Sequence, residues 1–438
     1  MASNEFQRLP GFRDFAPADL AVRSHIFETW RRVATRYGFE QYDGPPLEPL
    51  ELYIEKSGPE IVGQLYNFVD KGGREISLRP EMTPSLARML GERSRGMPKP
   101  IRWFSMPQLF RYERQQRGRL REHFQWNVDI VGEDDVAADA EVLAVAIDAL
   151  REFGLTADDF RARVSDRRLL AALLKSAGVD DAHLLAAYGV IDKLEREDRA
   201  RSRERLQTEA GLDAAGADAI LGLFDEPGLE AIQRRFGDDE AVAEALERMR
   251  AYLAMLGDMG LGDFVAFDLT IVRGLAYYTG IVFELFDVQG ELRAICGGGR
   301  YDRLLELVGG EPLGAVGFGM GDVVLTELLR DRGLLPDVAR QVDFFIISVG
   351  EETRALARQL AHALRAHGHS VTYALRAQAV RKQFKAAETE GAREAIVLGP
   401  DEVARGEAVV RSMASGEERT ESLQALMVLQ ALQAPKGP

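Results

Sequence analysis

Apolar residues recur at helical spacing from Ala18 to Tyr37, with Phe27, Trp30, Val33 and Ala34 on one side. Gly38 ends that run, and a second helical run over 136–154 stops at Gly154. Elsewhere in residues 1–165, helix and strand signals mix. Residues 166–262 differ: Leu, Ala, Arg, Glu and Asp dominate, glycines punctuate, and runs such as RRLLAALLKSAG and AHLLAAYGVIDKLERE predict a helical insertion. Residues 264–288 return to β-rich runs, with Thr279-Gly280 as a turn or bulge. The pattern therefore predicts one mixed domain, 1–165 and 263–333, interrupted by the helical segment 166–262. After GLLPDVARQ (333–341), which has linker character, FFIISV, SVTYAL and AIVLG alternate with helical runs over 351–367 and 378–390. That alternation predicts a separate α/β unit, 342–438, with a largely parallel sheet.

A chain of 438 residues fits this division, since a domain takes about 150 residues. At 46% hydrophobic and 29% charged the composition excludes a wholly disordered chain. No run approaches the roughly 18 unbroken apolar residues of a membrane helix. The segment MASNEFQRLPGFRDF lacks the apolar core of a secretory signal. Cys296 is the single cysteine, so an intramolecular disulfide and a cysteine zinc cluster are excluded. A reducing cytoplasm is the expected location. The histidines are scattered without metal-ligand spacing, and no metal site is expected. The net charge of −15 argues against a general nucleic-acid coat. The acidity sits in residues 1–341, because 342–438 holds twelve acidic and twelve basic residues. Within it Arg376, Arg381, Lys382 and Lys385 cluster at a predicted helix start, either as a phosphate contact or as a solvated face.

Four segments carry candidate chemistry. In FRYERQQRGRLREHFQ (110–125), arginines stand at 111, 114, 117, 119 and 121. Strand, basic turn and strand would gather them round an anion such as phosphate, or form a solvated basic hairpin. In SLRPEMTP (77–84), Glu81 and Thr83 share a face if the run is extended, which suits an ammonium group. In VRGLAYYTGIVFE (272–284), Arg273 lies in an apolar run and needs an anionic partner, from a ligand or a salt bridge. CGGGRYDRL (296–304) and LGAVGFGMGDVVL (313–325) suggest a glycine-lined floor under a planar ligand, or tight strand–helix packing. Neither fits a dinucleotide or P-loop pattern.

Taken in this order, the segments resemble the class II aminoacyl-tRNA synthetases, and specifically the histidyl-tRNA synthetase family, over nearly the whole chain. YDGPPLE (42–48), with Pro45, resembles the first class motif. FRYERQQRGRLREHFQ resembles the second, with Arg111 and Glu113 as its core, and RPEMT and RGLAYY resemble family elements. The resemblance implies an α+β catalytic domain, an antiparallel sheet flanked by helices, with a helical insertion and a C-terminal α/β anticodon-binding-type domain. It implies a histidine–tRNA ligase that uses ATP and Mg²⁺, a histidine tRNA as partner, and a homodimer built through the first motif. Arg111 and Arg273 are the implied catalytic residues. Histidine would be held by Glu81, Thr83, Arg111, Gln125, Asp129, Arg273, Tyr278 and Tyr301, and ATP by Arg111, Glu113, Arg119 and Arg121.

The chain also departs from the family pattern. Val324 stands where the third motif ends in an arginine, with Asp322-Val323 before it. Ala276 replaces an aspartate, Asp129 replaces a glutamate, and the order at the end of the second motif is His123-Phe124-Gln125. RPEMTP and YYTGIVFE also partly resemble the regulatory subunit of ATP phosphoribosyltransferase, so a non-catalytic histidine-binding regulator is the alternative expectation.

Overall fold

The computed structural model describes residues 7–114, 116–194, 196–272, 278–290, 292–307, 309–310, 312–337 and 341–429. The chain forms two compact units, Met1–Pro336 and Asp337–Pro438.

The first unit is built on a sheet of nine strands among the described residues. Its centre is the Glu122–Val131 strand, flanked by Ile101–Ser105 on one side and Ala315–Gly321 on the other. Beyond the latter come Cys296–Arg300, Ile281–Asp287, Phe160–Asp166 and Val265–Phe267. Pairing is antiparallel except at the two ends, where Glu40–Gln41 meets Ile101–Ser105 and Val265–Phe267 meets Phe160–Asp166 in parallel. The expected antiparallel sheet flanked by helices is therefore observed. Of the expected β-rich runs in 264–288, the first yields only Val265–Phe267, and Arg273, Ala276 and Tyr277 lie outside the described residues.

Successive strand residues point to opposite faces, and the central strand divides its residues accordingly. Trp126, Val128 and Ile130 face a core formed with the helices Pro17–Arg36, Val136–Glu152 and Glu240–Asp258. Trp30 lies against Trp126 with ring planes 12° apart and centroids 5.8 Å apart, both fully buried. The other face of the strand is left for His123, Gln125, Asn127 and Asp129.

The segment 166–262 is helical, as the pattern predicts, with six helices between Arg167 and Asp258 among the described residues. Its aspartates have a local task. Asp166, Asp213 and Asp239 accept backbone N–H bonds at 2.7, 2.7 and 3.0 Å from Arg168, Gly216 and Ala241, capping the helices that follow. The helices bury a second core around Leu173, Ile191, Leu206 and Ile220. The Glu240–Asp258 helix joins the two: Val242 and Leu246 enter this second core, whereas Met249, Tyr252 and Leu256 enter the core on the sheet.

The second unit holds a five-stranded sheet ordered Val371–Tyr373, Val342–Ser348, Ala392–Leu398, Glu407–Ser412, Glu418–Ser422. The first three strands are parallel, as expected. The last two form an antiparallel extension that the pattern did not predict. ERTES is polar throughout and exposed at the sheet edge, so it carries no apolar alternation.

Candidate active site

The glycines opposite the central strand create room on the open face of the sheet. In register, Asp129 pairs with Gly317, Asn127 with Gly319 and Gln125 with Gly321. A Cβ on Gly317 would fall 2.1 Å from an Asp129 carboxylate oxygen, and one on Gly319 would fall 2.5 Å from the Gln125 amide. Gly299 is as confined: a Cβ there would fall 3.1 Å from the ring of Tyr278 and 2.7 Å from the Ile281 carbonyl. Gly298 faces the core instead, against Phe318 and Phe283. The glycine runs thus form a strand floor with bulky polar side chains above it, rather than a strand–helix contact.

At one end of this floor lies a buried polar pocket. The Tyr301 hydroxyl donates to Asp129, and both residues are buried. Tyr278 and the stacked pair Tyr42–Trp103 belong to the adjoining cluster, with ring centroids 5.3 Å apart in that pair. Burial pushes the Asp129 carboxyl up to about 7, against the opposing pull of the Tyr301 hydrogen bond and the Lys56 ammonium. Asp129 sits at the boundary between acid and carboxylate, suited to share a proton with an imidazole.

Next to it stands Glu81. It forms an ion pair with Lys56, a largely buried lysine of the Leu50–Ser57 helix. Burial alone would raise Glu81, but Lys56 and then Arg111 overcome it and hold the carboxyl below its usual range. The condition that 77–84 be extended is not met over its whole length. The strand ends at Leu78, Met82 has helical dihedrals, and Thr83 opens the Thr83–Arg93 helix. Pro84 favours this, because its fixed φ suits a first helical turn. Glu81 and Thr83 share a helix entrance, not a strand face.

The basic segment forms the expected hairpin, with Gln108–Phe110 antiparallel to Glu122–Val131. It walls an open cleft of about 610 Å³. Arg111, Glu113, Arg119, Leu120 and His123 line one side. Glu284, Phe286, Arg293, Val323 and Val324 line the rest, with Arg196 from the helical segment. Arg119 is ion-paired with Glu113. Arg111 donates from Nε to the Pro80 carbonyl at 3.1 Å, which fixes it between the cleft and Glu81. Burial, then the positive field of Arg111, Arg13 and Arg119, lowers His123 to about 3, so it presents an uncharged imidazole. Arg121 is not part of this lining. Its guanidinium lies 4.4 Å over the ring of Tyr112, and its Nε donates to the Glu113 carbonyl at 3.3 Å.

Several residues of the site gave no sequence signal. Lys56 is one lysine on an amphipathic helix. Arg13 donates to Glu122 at 2.6 Å and to Asp322 at 2.9 Å, and Asp322 also accepts the Phe124 N–H at 2.9 Å. This locks the N-terminal segment, the central strand and the Asp322–Asp331 helix together. Arg293 and Arg196 line the cleft but lie in none of the sequence motifs. The other expected residues lie over the glycine floor: Gln125 above Gly319, and Tyr278 against Gly299. Arg273 lies outside the described residues. Among the described residues no group of three or more His, Cys, Asp or Glu side chains could hold a metal ion, and no helix is long and apolar enough to cross a membrane.

Comparison with known proteins agrees with this geometry. A family model described as histidyl-tRNA synthetase matches residues 11–322, and one described as an anticodon binding domain matches 343–430. A histidine--tRNA ligase of Opitutus terrae is 44% identical over 94% of this chain and 95% of its own. The crystal structure of a histidyl-tRNA synthetase from Nostoc superposes with a TM-score of 0.81 at 23% identity, covering 97% of this chain and 98% of that one. A Bacillus halodurans structure titled ATP phosphoribosyltransferase regulatory subunit/histidyl-tRNA synthetase has a TM-score of 0.74 at 24% identity, covering 90% and 98%. At these identities the structural matches speak for the fold alone.

Proposed function

The chain belongs to the histidyl-tRNA synthetase family, and from that premise we propose that it is a histidine–tRNA ligase acting through the two joined clusters on its sheet. The observation that carries the reading is the position of Arg111, which lines the cleft while its charge reaches Glu81. An arginine there can hold a phosphate and an amino-acid carboxylate at once.

In the first step a carboxylate oxygen of histidine attacks the α-phosphorus of ATP, and the bond to pyrophosphate breaks. In the second, the terminal ribose hydroxyl of the tRNA attacks the histidyl carbonyl and AMP leaves. Neither step needs a protein nucleophile, so positioning and charge stabilisation supply the rate. Asp129 with Tyr301 and Tyr278 would hold the imidazole, and Glu81 with Thr83 the ammonium, displacing Lys56 from its pair. Gln125 would lie beneath the amino acid. Arg111, Glu113 and Arg119 would hold ATP, with Arg121 steadying the hairpin through Glu113. Arg273 is assigned to the α-phosphate by family resemblance. Mg²⁺ would enter with the nucleotide, and the carboxylates of Glu113 and Glu284 line the same cleft as the arginines that suit its phosphates. It would screen phosphate charge.

The C-terminal unit supports a tRNA partner, and its cleft of about 440 Å³ includes Arg354, Arg376 and Gln378. We assign 1–165 and 263–333 to catalysis, 166–262 to the helical insertion and 342–438 to anticodon binding. A homodimer through 42–48 and a cytoplasmic location complete the reading. The regulatory alternative rests on Val324 and Ala276; a regulator of a phosphoribosyltransferase would have no evident use for an anticodon-binding unit. Histidine-dependent ATP–pyrophosphate exchange tests the proposal. Exchange with histidine alone among amino acids is expected, and Arg111→Ala is expected to slow it by about 100-fold or more. Histidine binding without exchange would favour the regulator.

A further inference from the structure

The cleft has an apolar stretch of wall at Val323 and Val324, and across the hairpin turn from it stands Arg293. A Cβ built on Gly118, at the tip of that turn, would lie 3.3 Å from a Val324 methyl and 3.9 Å from Cδ of Arg293. The turn is therefore held between the small side chain at 324 and the aliphatic stem of Arg293. The Arg293 guanidinium donates to the side-chain oxygen of Gln116, in the same turn. That partner is a neutral amide, which does not itself offset the positive charge.

Three other arginines of the hairpin are differently engaged. Arg119 is paired with Glu113, and Arg117 with Glu327 and Asp331 at 3.5 Å each. Arg111 is tied to the Pro80 carbonyl, at the amino-acid end. Among the described residues, no carboxylate forms an ion pair with Arg293, which stands exposed at the turn end of the cleft.

Resting on the reading of this cleft as the ATP site, we propose that Arg293 binds the terminal phosphates of the nucleotide, supplying from the Ile281–Asp287/Cys296–Arg300 hairpin the charge that Val324 does not. An extended arginine side chain on that hairpin reaches over the same turn that a long cation at 324 would cross. Gln116 pre-orients the guanidinium while leaving N–H donors for phosphate oxygens, which its fork geometry suits. Arg111 then serves the α-phosphate and Arg293 the β- and γ-phosphates, so the leaving pyrophosphate departs from a cationic end.

Calorimetric titration of the full chain with ATP and with AMP, at fixed Mg²⁺, tests this in the parent and in Arg293→Gln. ATP affinity should fall about 10- to 100-fold, as for a lost hydrogen bond to a charged group, while AMP affinity stays within about twofold because AMP lacks the outer phosphates. Arg293→Lys should recover part of the loss by retaining the charge. Unchanged ATP affinity overturns the proposal, and so does equal weakening of ATP and AMP, which would mark a structural role. Normal ATP binding with loss only of tRNA charging would reassign Arg293 to the tRNA end and also overturn it. Parent exchange activity is measured separately: its absence, with ATP affinity still dependent on Arg293, would sink the ligase reading and leave this inference standing.

Discussion

Asp129 shows how one residue's surroundings set its chemistry. Its carboxyl is raised by burial to about 7, above the unfolded value near 3.8. The folded state therefore keeps a proton that the unfolded chain has already lost at pH 4 to 7. Its contribution to stability is fully present below about pH 4 and is lost as pH rises through about 7. Asp129→Asn removes that dependence, so the stability of the variant relative to the parent should grow between pH 4 and 7 and then level off. Urea midpoints across that range would check it; a relative stability that declines there contradicts the assignment. The same variant should weaken histidine binding by about tenfold or more, since an amide cannot take the imidazole proton. Gly317→Ala should weaken it for a steric reason, because the added carbon would meet the Asp129 carboxylate and, 2.7 Å away, the Val128 carbonyl. Asp129 and Tyr301 were legible in the sequence as candidates only through the resemblance. Their hydrogen bond joins residues 172 positions apart and has no local signature.

At the scale of elements, the sheet works because its two faces are sorted residue by residue. Trp126 and Val128 build the core while His123, Gln125 and Asp129 face the candidate site, so a one-residue slip would exchange them. The lock of Arg13, Asp322 and Phe124 holds this register against the Asp322–Asp331 helix. Removing Asp322 as alanine should cost about 3 kcal/mol, because the half-buried Arg13 guanidinium loses a partner and the Phe124 N–H loses its acceptor. Asp322→Asn should recover part of this, since its amide oxygen can still accept from Phe124. Denaturant unfolding compares the two; equal losses would show that the N–H bond contributes nothing. The strand, turn and strand of 110–125 were readable from the arginines and the turn residue Gly118. The helix entrance at Thr83 was not, because RPEMTP has turn and strand character until the packing of the following helix decides.

Over the whole molecule, the catalysis and the anticodon binding proposed above fall to separate compact units. Arg381, Lys382 and Lys385 are exposed on the Val380–Thr389 helix of the second unit. Replacing all three by alanine should raise KM for tRNA about tenfold and lower the salt dependence of its binding by about two charges, as for lost phosphate contacts. ATP–pyrophosphate exchange should be unchanged. Altered exchange would show that the units do not act separately, and unaltered tRNA kinetics would return the cluster to a solvated surface.

The amino-acid sequence by itself determined what depends on near neighbours. Helical and strand periods, the capping aspartates, the basic turn and the break into two units all follow from residues a few positions apart, where local sterics and hydrogen bonds act. It also held, through its motifs, the resemblance to a synthetase. Only the tertiary structure decided which distant side chains meet. Lys56 on Glu81, Arg13 on Asp322 and Arg293 across the Gly118 turn from Val324 are each brought together by sheet order and packing. In those settings burial strengthens charge, and the field at a residue depends on every element packed around it.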